Sequence, residues 1–425
     1  MFYLSEYGVF QKSDTNEQTS LHKLKVDKLV WSELEALAGK MSNRVLEYIS
    51  PKKIKIKSYL GVISAGNIHI EILPKTSNSL DVDLDANRKI LLKMLSKVHS
   101  LKLLESTDAS LQVFDRPLLE ILVERYLYLL LNVVKKGVKK EYVSISSQEK
   151  FLKGKLLLSR QLREPAHKLD KNHIEYDELT FNRAENRLIK TSLLILNKRF
   201  FSNKVQKLCR ELTFIFDEVP QSINIDIDFS LWKTDRDMSY YEPLIPYLKF
   251  IIGNNSPQSL KGPHQGISFL FPIEELFEKY VYETLKDKLP PSYRLRQQIA
   301  SKYIATHKGR NVFNLRPDLA IFRESKCVSI LDTKWKLLDD KNLSNKGGFN
   351  SYYGIKQPDI YQLYTYGYKY LNGSGNLFLI YPSNENFQQA LSPFEFNSDG
   401  LNLHVIPFDI NTDRINLDFI TSKIN

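Results

Sequence analysis

The sequence predicts a multidomain α/β protein: a β-rich N-terminal domain over residues 1–80, a mainly helical middle region over 86–260, and a C-terminal domain over 264–425 built as a mixed sheet flanked by helices. Three observations predict it. At 425 residues the chain exceeds one ordinary compact domain. Its hydrophobic periodicity changes from strand-like to helical near Ala86. A passage dense in turn formers, Gly253 to Pro263, then interrupts the helical pattern, and beyond it strand-like and helical stretches alternate.

In the first segment, Lys52 to Lys57 alternates lysine with isoleucine, and Gly61 to Pro74 reads as strand, turn, strand, with the turn at Ala65-Gly66-Asn67. A polar passage from Thr76 to Asp85 closes it. The middle region shows helical periodicity at 86–104, 117–136, 183–200 and 241–252, and Asp115-Arg116-Pro117 has the form of a helix opening. The last segment reads as a helix at 272–288, strands near 293–300, 317–323 and 327–335, a polar loop at 338–357, a helix at 358–371, and strands at 376–381 and 402–407.

Composition narrows the functional classes. Hydrophobic residues make up 42% and charged residues 26%, values that support packed cores. Lysine plus arginine number 60 against 49 acidic residues, a net charge of +11, which favours a polyanionic partner. Cys209 and Cys327 are the only cysteines and lie far apart, so neither a disulfide framework nor a zinc knuckle is expected, and a reducing cytoplasm fits. The N-terminus turns polar too early for a signal peptide. No apolar run reaches the roughly 18 residues of a membrane span; Leu118 to Val134 comes nearest, but Glu120, Glu124 and Arg125 make it an amphipathic helix, so no membrane association is expected.

The chemistry concentrates in Arg316-Pro317-Asp318 and in Leu331-Asp332-Thr333-Lys334-Trp335. The strand period of two sets Val328, Ile330, Asp332 and Lys334 on one face, which brings a carboxylate and an ammonium side by side at the end of an apolar strand. If the strands after Pro317 and before Lys334 form a hairpin, Asp318 converges on Asp332. Two convergent carboxylates make a hard oxygen site suited to Mg²⁺, and a neighbouring lysine can orient or deprotonate water and stabilise phosphoryl charge. A bare Asp-x-Lys is far more often a strand-end ion pair than a catalytic site, so context decides. A preceding helix offers Glu278, with Glu274 and Glu275 as alternatives for the inward position, and a following helix sets Gln362 and Tyr366 on one face.

The order of glutamate helix, Pro-Asp strand, Asp-x-Lys strand and Gln-x-x-x-Tyr helix is that of RecB-like PD-(D/E)XK nucleases. With Leu276 to Val281, Gln357 to Leu363 and Leu379 to Pro382, the chain resembles the McrC family, the nuclease subunits of McrBC-type modification-dependent restriction systems. Upstream, Leu60 to Ile63, Glu71 to Lys75, Phe151 to Lys155, Tyr176 to Thr180 and Glu185-Asn186-Arg187 extend the likeness. The resemblance implies an Mg²⁺-dependent endonuclease acting on methylcytosine-containing double-stranded DNA. It implies metal ligands Asp318, Asp332 and Glu278, a catalytic Lys334, and a supporting Gln362. It also implies a partner, a hexameric McrB-type AAA+ GTPase docked through the N-terminal part. The absence of a G-x-x-x-x-G-K-[ST] segment agrees that GTP belongs to the partner. A RecB-like nuclease of another defence or repair system, or an inactive nuclease-fold binding protein, are the competing readings; the intact Asp318, Asp332 and Lys334 speak against the last.

Overall fold

The computed structural model describes residues 1–40, 45–65, 68–76, 83–98, 116–163, 165, 170–199, 201–233, 235–253, 267–341, 352–396 and 400–424. Gly66 and Asn67 of the expected turn, most of the Gly253–Pro263 linker, Asp115 of the expected helix opening, residues 99–104, the middle of the Thr76–Asp85 passage and 342–351 of the polar loop lie outside them. The chain divides into two compact units: residues 1–62, 69–116 and 270–425 form one, and 63–68 with 117–269 form the other. Compactness thus joins the first and last segments of the chain.

In the first unit, the strands Glu17–Ser20, Lys23–Val26, Val9–Lys12, Lys53–Ile56 and Leu46–Ser50 lie in that order in one sheet. The Lys-Ile alternation works as read: Ile54 and Ile56 are buried, while Lys53 is exposed and Lys57 reaches Glu47 at 3.4 Å. Phe2–Ser5 pairs in parallel with Ile68–Leu73.

The C-terminal sheet is mixed, as expected. Its strand order is Tyr293–Gln297, Leu319–Arg323, Lys326–Thr333, Ser374–Pro382, Gly400–Asp409, Phe394–Glu395, with Arg414–Ile415 also on Gly400–Asp409. The first three strands run antiparallel and the next two join in parallel. Ala320, Ile330, Leu377, Leu379, Leu403 and Val405 meet Leu363, Tyr366 and Tyr370 of the helix Gln357–Tyr370. Their sequence neighbours Leu319, Leu331, Phe378 and Ile406 are buried as well, so these strands are apolar on both faces, as sheets covered on both sides must be. A Cβ at Gly367 would lie 2.8 Å from Leu401 Cδ1, so glycine lets this helix approach the sheet closely. Just past the strand carrying Asp332, Trp335 meets Phe277 of the helix Ile273–Lys288 edge-on, centroids 5.3 Å apart.

The second unit packs the helices Leu118–Lys136, Ala184–Asn197, Asn203–Ile215 and Ile245–Gly253. It also holds an antiparallel sheet, Lys155–Leu156, Asn172–Thr180, Glu141–Glu149, that periodicity did not reveal. The reason is exposure: almost nothing on Glu141–Glu149 is buried, so no apolar alternation is written into it. Two of the upstream motifs shape this unit. Gly154 has a φ of +74°, and a Cβ there would strike the Glu175 carbonyl and Tyr176. Glu185 accepts from the Arg183 guanidinium, Asn186 donates to the carbonyls of Lys139 and Phe181, and Arg187 grips Asp228. The basic cluster Lys135–Lys140 is largely engaged, with Lys136 over Tyr240 and Lys140 over Phe181. Among the described residues no helix is long and apolar enough to cross a membrane.

Candidate active site

Asp332 is the next-to-last residue of Lys326–Thr333 and Lys334 follows its end. The expected side-by-side placement is met: Lys334 Nζ donates to Asp332 Oδ2 at 2.5 Å. The antiparallel register sets Leu319 opposite Leu331, so Asp318, one step before its strand, comes level with Asp332. Asp318 Oδ2 accepts from the Thr333 backbone N–H at 2.8 Å and from Thr333 Oγ1 at 2.9 Å. A threonine between the two motif residues therefore orients the opposing carboxylate.

The electrostatics follow from burial. Asp332 is 1% exposed, and its Oδ1 has no hydrogen-bond partner. Burial raises its pKa, the Asp318 charge raises it further, and Lys334 opposes both. For Lys334, burial pulls down, but the carboxylates of Asp332, Asp318 and Asp359 outweigh it, and the ammonium is held more firmly than usual. Of the three candidate glutamates, Glu274 and Glu275 are exposed and Glu278 is buried. Burial, then the Asp318 charge, raises Glu278 to about 7. Gln298 Nε2 donates to Glu278 Oε1 at 3.0 Å, and the Gln298 backbone N–H donates to the Asp318 carbonyl at 2.8 Å.

Gln362 stands farther back. Its Nε2 donates to Tyr366 Oη at 2.8 Å, and that hydroxyl donates to the Arg316 carbonyl at 3.1 Å, two residues before Asp318. The Gln-x-x-x-Tyr pair thus braces the approach to Asp318. Sequence reasoning missed Gln298, Thr333 and Asp359. Gln298 had no signal, because it sits just past a strand in a left-handed backbone (φ 45°). On the other face, Trp335 Nε1 donates to Glu6 Oε1 at 2.7 Å, which also accepts from the Lys75 backbone N–H at 2.9 Å.

Among the described residues no three His, Cys, Asp or Glu groups are gathered to hold a metal. The donor chemistry nevertheless suits a hard cation: two facing carboxylates, one with a buried oxygen that nothing satisfies.

The family model for McrBC 5-methylcytosine restriction system components matches residues 54–382. The chain belongs to the McrBC family. Within it, the chain is 26% identical over 267 residues, 59% of its length and 73% of the relative's, to the type IV methyl-directed restriction enzyme EcoKMcrBC of Escherichia coli K12. Among solved structures it resembles, with a TM-score of 0.64 and 20% identity, a chain of an assembly of Thermococcus gammatolerans McrB AAA+ hexamers with bound McrC, covering 96% of this chain and 94% of that one. This second likeness shows the fold. The McrC-type identity implied by the motifs is thereby met, and the chain is a restriction-system component of mixed α/β architecture.

Proposed function

We propose that this McrC-type chain is the DNA-cleaving subunit of its restriction system, with a PD-(D/E)XK nuclease centre at Asp318, Asp332 and Lys334. The observation that carries the reading is the Asp332–Lys334 pair at the buried strand end, with Asp318 level with it across the hairpin. Asp318 and Asp332, with Glu278 behind them, are the residues that would hold Mg²⁺, which when bound supplies charge neutralisation and an activated water for phosphodiester hydrolysis. Lys334, paired with Asp332 at the strand end, is placed to orient or deprotonate the attacking water and to stabilise the developing phosphoryl charge. Gln298 holds Glu278, Thr333 holds Asp318, and Gln362 acts through Tyr366 on the backbone leading to Asp318.

The substrate in this reading is double-stranded DNA carrying methylcytosine, and the partner is a hexameric McrB-type AAA+ GTPase. Its basis is the family's restriction system, the EcoKMcrBC relative and the McrB-bound McrC of Thermococcus gammatolerans. Residues 1–80 are the proposed docking side. The test is reconstitution: the chain alone neither hydrolyses GTP nor cuts methylated DNA efficiently, and adding the GTPase with Mg²⁺ switches cleavage on. Undiminished cleavage by Lys334→Ala in that mixture would overturn the assignment.

A further inference from the structure

Between Pro290 and Pro317 the chain carries Arg294, Arg296, Lys302, Lys308, Arg310 and Arg316 and no acidic residue. Within this stretch Lys302–His307 and Arg310–Leu315 pair antiparallel as a separate two-stranded sheet. Lys308 and Gly309 connect them, both with positive φ (49° and 76°), the arrangement a two-residue hairpin turn of matching twist requires. Six residues per strand extend about 20 Å at ~3.4 Å each. Nearly every side chain on the hairpin is exposed.

An isolated hairpin is marginally stable in water, and this one is fastened at its base. Tyr370 Oη donates to the carbonyls of Ile299 (3.0 Å) and Leu315 (2.9 Å), and Lys369 Nζ donates to the Ile304 carbonyl at 3.1 Å. Both ends of the hairpin lead directly into the site: Gln298, holding Glu278, lies just before it, and Asp318 lies three residues after it. Phe313 is 71% exposed on a left-handed backbone (φ 58°), a conformation disfavoured for an aromatic residue and retained where surroundings or function demand it. Ile304 on the neighbouring strand is 49% exposed. Lys302, Lys308 and Arg310 form no ion pair among the described residues.

We propose that the 302–315 hairpin is a DNA-gripping arm that lies against the duplex beside the scissile phosphate. Lys302, Lys308 and Arg310 neutralise phosphates, and the Phe313 ring rests on the sugar and base edges of the groove. A two-stranded ribbon has the dimensions to enter a major groove, and the charge is complementary to the backbone along its whole length. The proposal rests on the nuclease reading for its substrate, and its test is independent of cleavage.

The measurement is equilibrium binding of the full chain, and of the chain with its GTPase, to a short fluorescent DNA duplex across a salt series. The variants are the triple Lys302→Gln, Lys308→Gln, Arg310→Gln and, separately, Phe313→Ser. Removing three phosphate contacts lowers the slope of log K against log salt by about 0.9 each, nearly 3 in all. Phe313→Ser weakens binding with the slope retained. An unaltered slope and affinity in the folded triple variant overturns the arm, as does a variant that binds DNA normally but no longer assembles with the GTPase. A wild-type chain that fails to cleave methylated DNA even with the GTPase, GTP and Mg²⁺ present, while the triple variant still loses slope, would sink the nuclease reading and leave the arm standing.

Discussion

Glu278→Gln separates the energetic role of the site's third carboxylate from the catalytic one proposed for it. The substitution keeps the side chain's shape and an oxygen to accept from Gln298 Nε2, and removes only the charge. Glu278 is raised from the ordinary 4.5 to about 7, by burial first and Asp318 second. The folded chain therefore holds this proton more tightly than the unfolded chain. Stability falls as pH rises from about 4.5 to 7, and the penalty is complete above that. At ~1.4 kcal/mol per tenfold change in proton affinity the ceiling is about 3 kcal/mol, and screening by solvent brings the expected effect to roughly 1–3 kcal/mol. Thermal denaturation in chelator should find variant and wild type equal at pH 4. At pH 8 the variant should be more stable, at about 2–4 °C per kcal/mol. Mg²⁺ at pH 8 should then raise the wild-type melting temperature more than the variant's, because the ion favours ionised carboxylates, while cleavage by the variant falls at least ~10-fold. Equal melting temperatures at pH 8 would refute the desolvated carboxylate. Equal shifts with Mg²⁺ would remove Glu278 from the metal site.

Other perturbations read different parts of the site. Asp318→Asn, which keeps an oxygen for Thr333, should abolish cleavage with little change in melting temperature, whereas Asp318→Ala should also destabilise by about 1–3 kcal/mol through the stranded Thr333 donors; equal melting curves would argue against that contact. Replacing Mg²⁺ with Ca²⁺ should leave DNA binding in place and reduce cleavage sharply, since calcium's looser coordination activates water poorly; turnover at the magnesium rate would count against the metal chemistry. Glu6→Ala should destabilise by about 1–3 kcal/mol by leaving Trp335 Nε1 and the Lys75 N–H without an acceptor, with Glu6→Gln recovering much of the loss; calorimetry on the pair decides it. If the N-terminal strands dock the GTPase, Tyr48→Ser with Ile49→Ser, both exposed, should weaken assembly measured by sedimentation without lowering the melting temperature.

What the sequence made legible was whatever burial writes as a period. The strand of Asp332 runs Val328, Ile330 and Leu331 into its end, so the polar pair there stood out, and the helices Ile273–Lys288 and Gln357–Tyr370 advertise their buried faces in the same way. Exposed elements left no such record. The Lys302–Leu315 hairpin and the Glu141–Thr180 sheet expose most of their side chains, and their pairing depends on turns and anchoring rather than on an apolar stripe. Gln298 and Thr333 hold carboxylates through contacts between residues 20 and 15 positions apart. The union of residues 1–62 and 69–116 with 270–425 in one compact unit is likewise a matter of distant partners, to which a local pattern is blind.

The hydrogen bond between Trp335 and Glu6 spans 329 positions of sequence, and its indole follows Lys334 directly. The two ends of the chain are therefore not interchangeable parts. A hybrid that takes its first hundred residues from one source and its last hundred and fifty from another must bring both halves of this contact with it. A chimera that replaces Glu6 or Trp335 alone with a residue that cannot make this bond leaves a buried polar group unpaired, so the two positions are exchanged together or not at all.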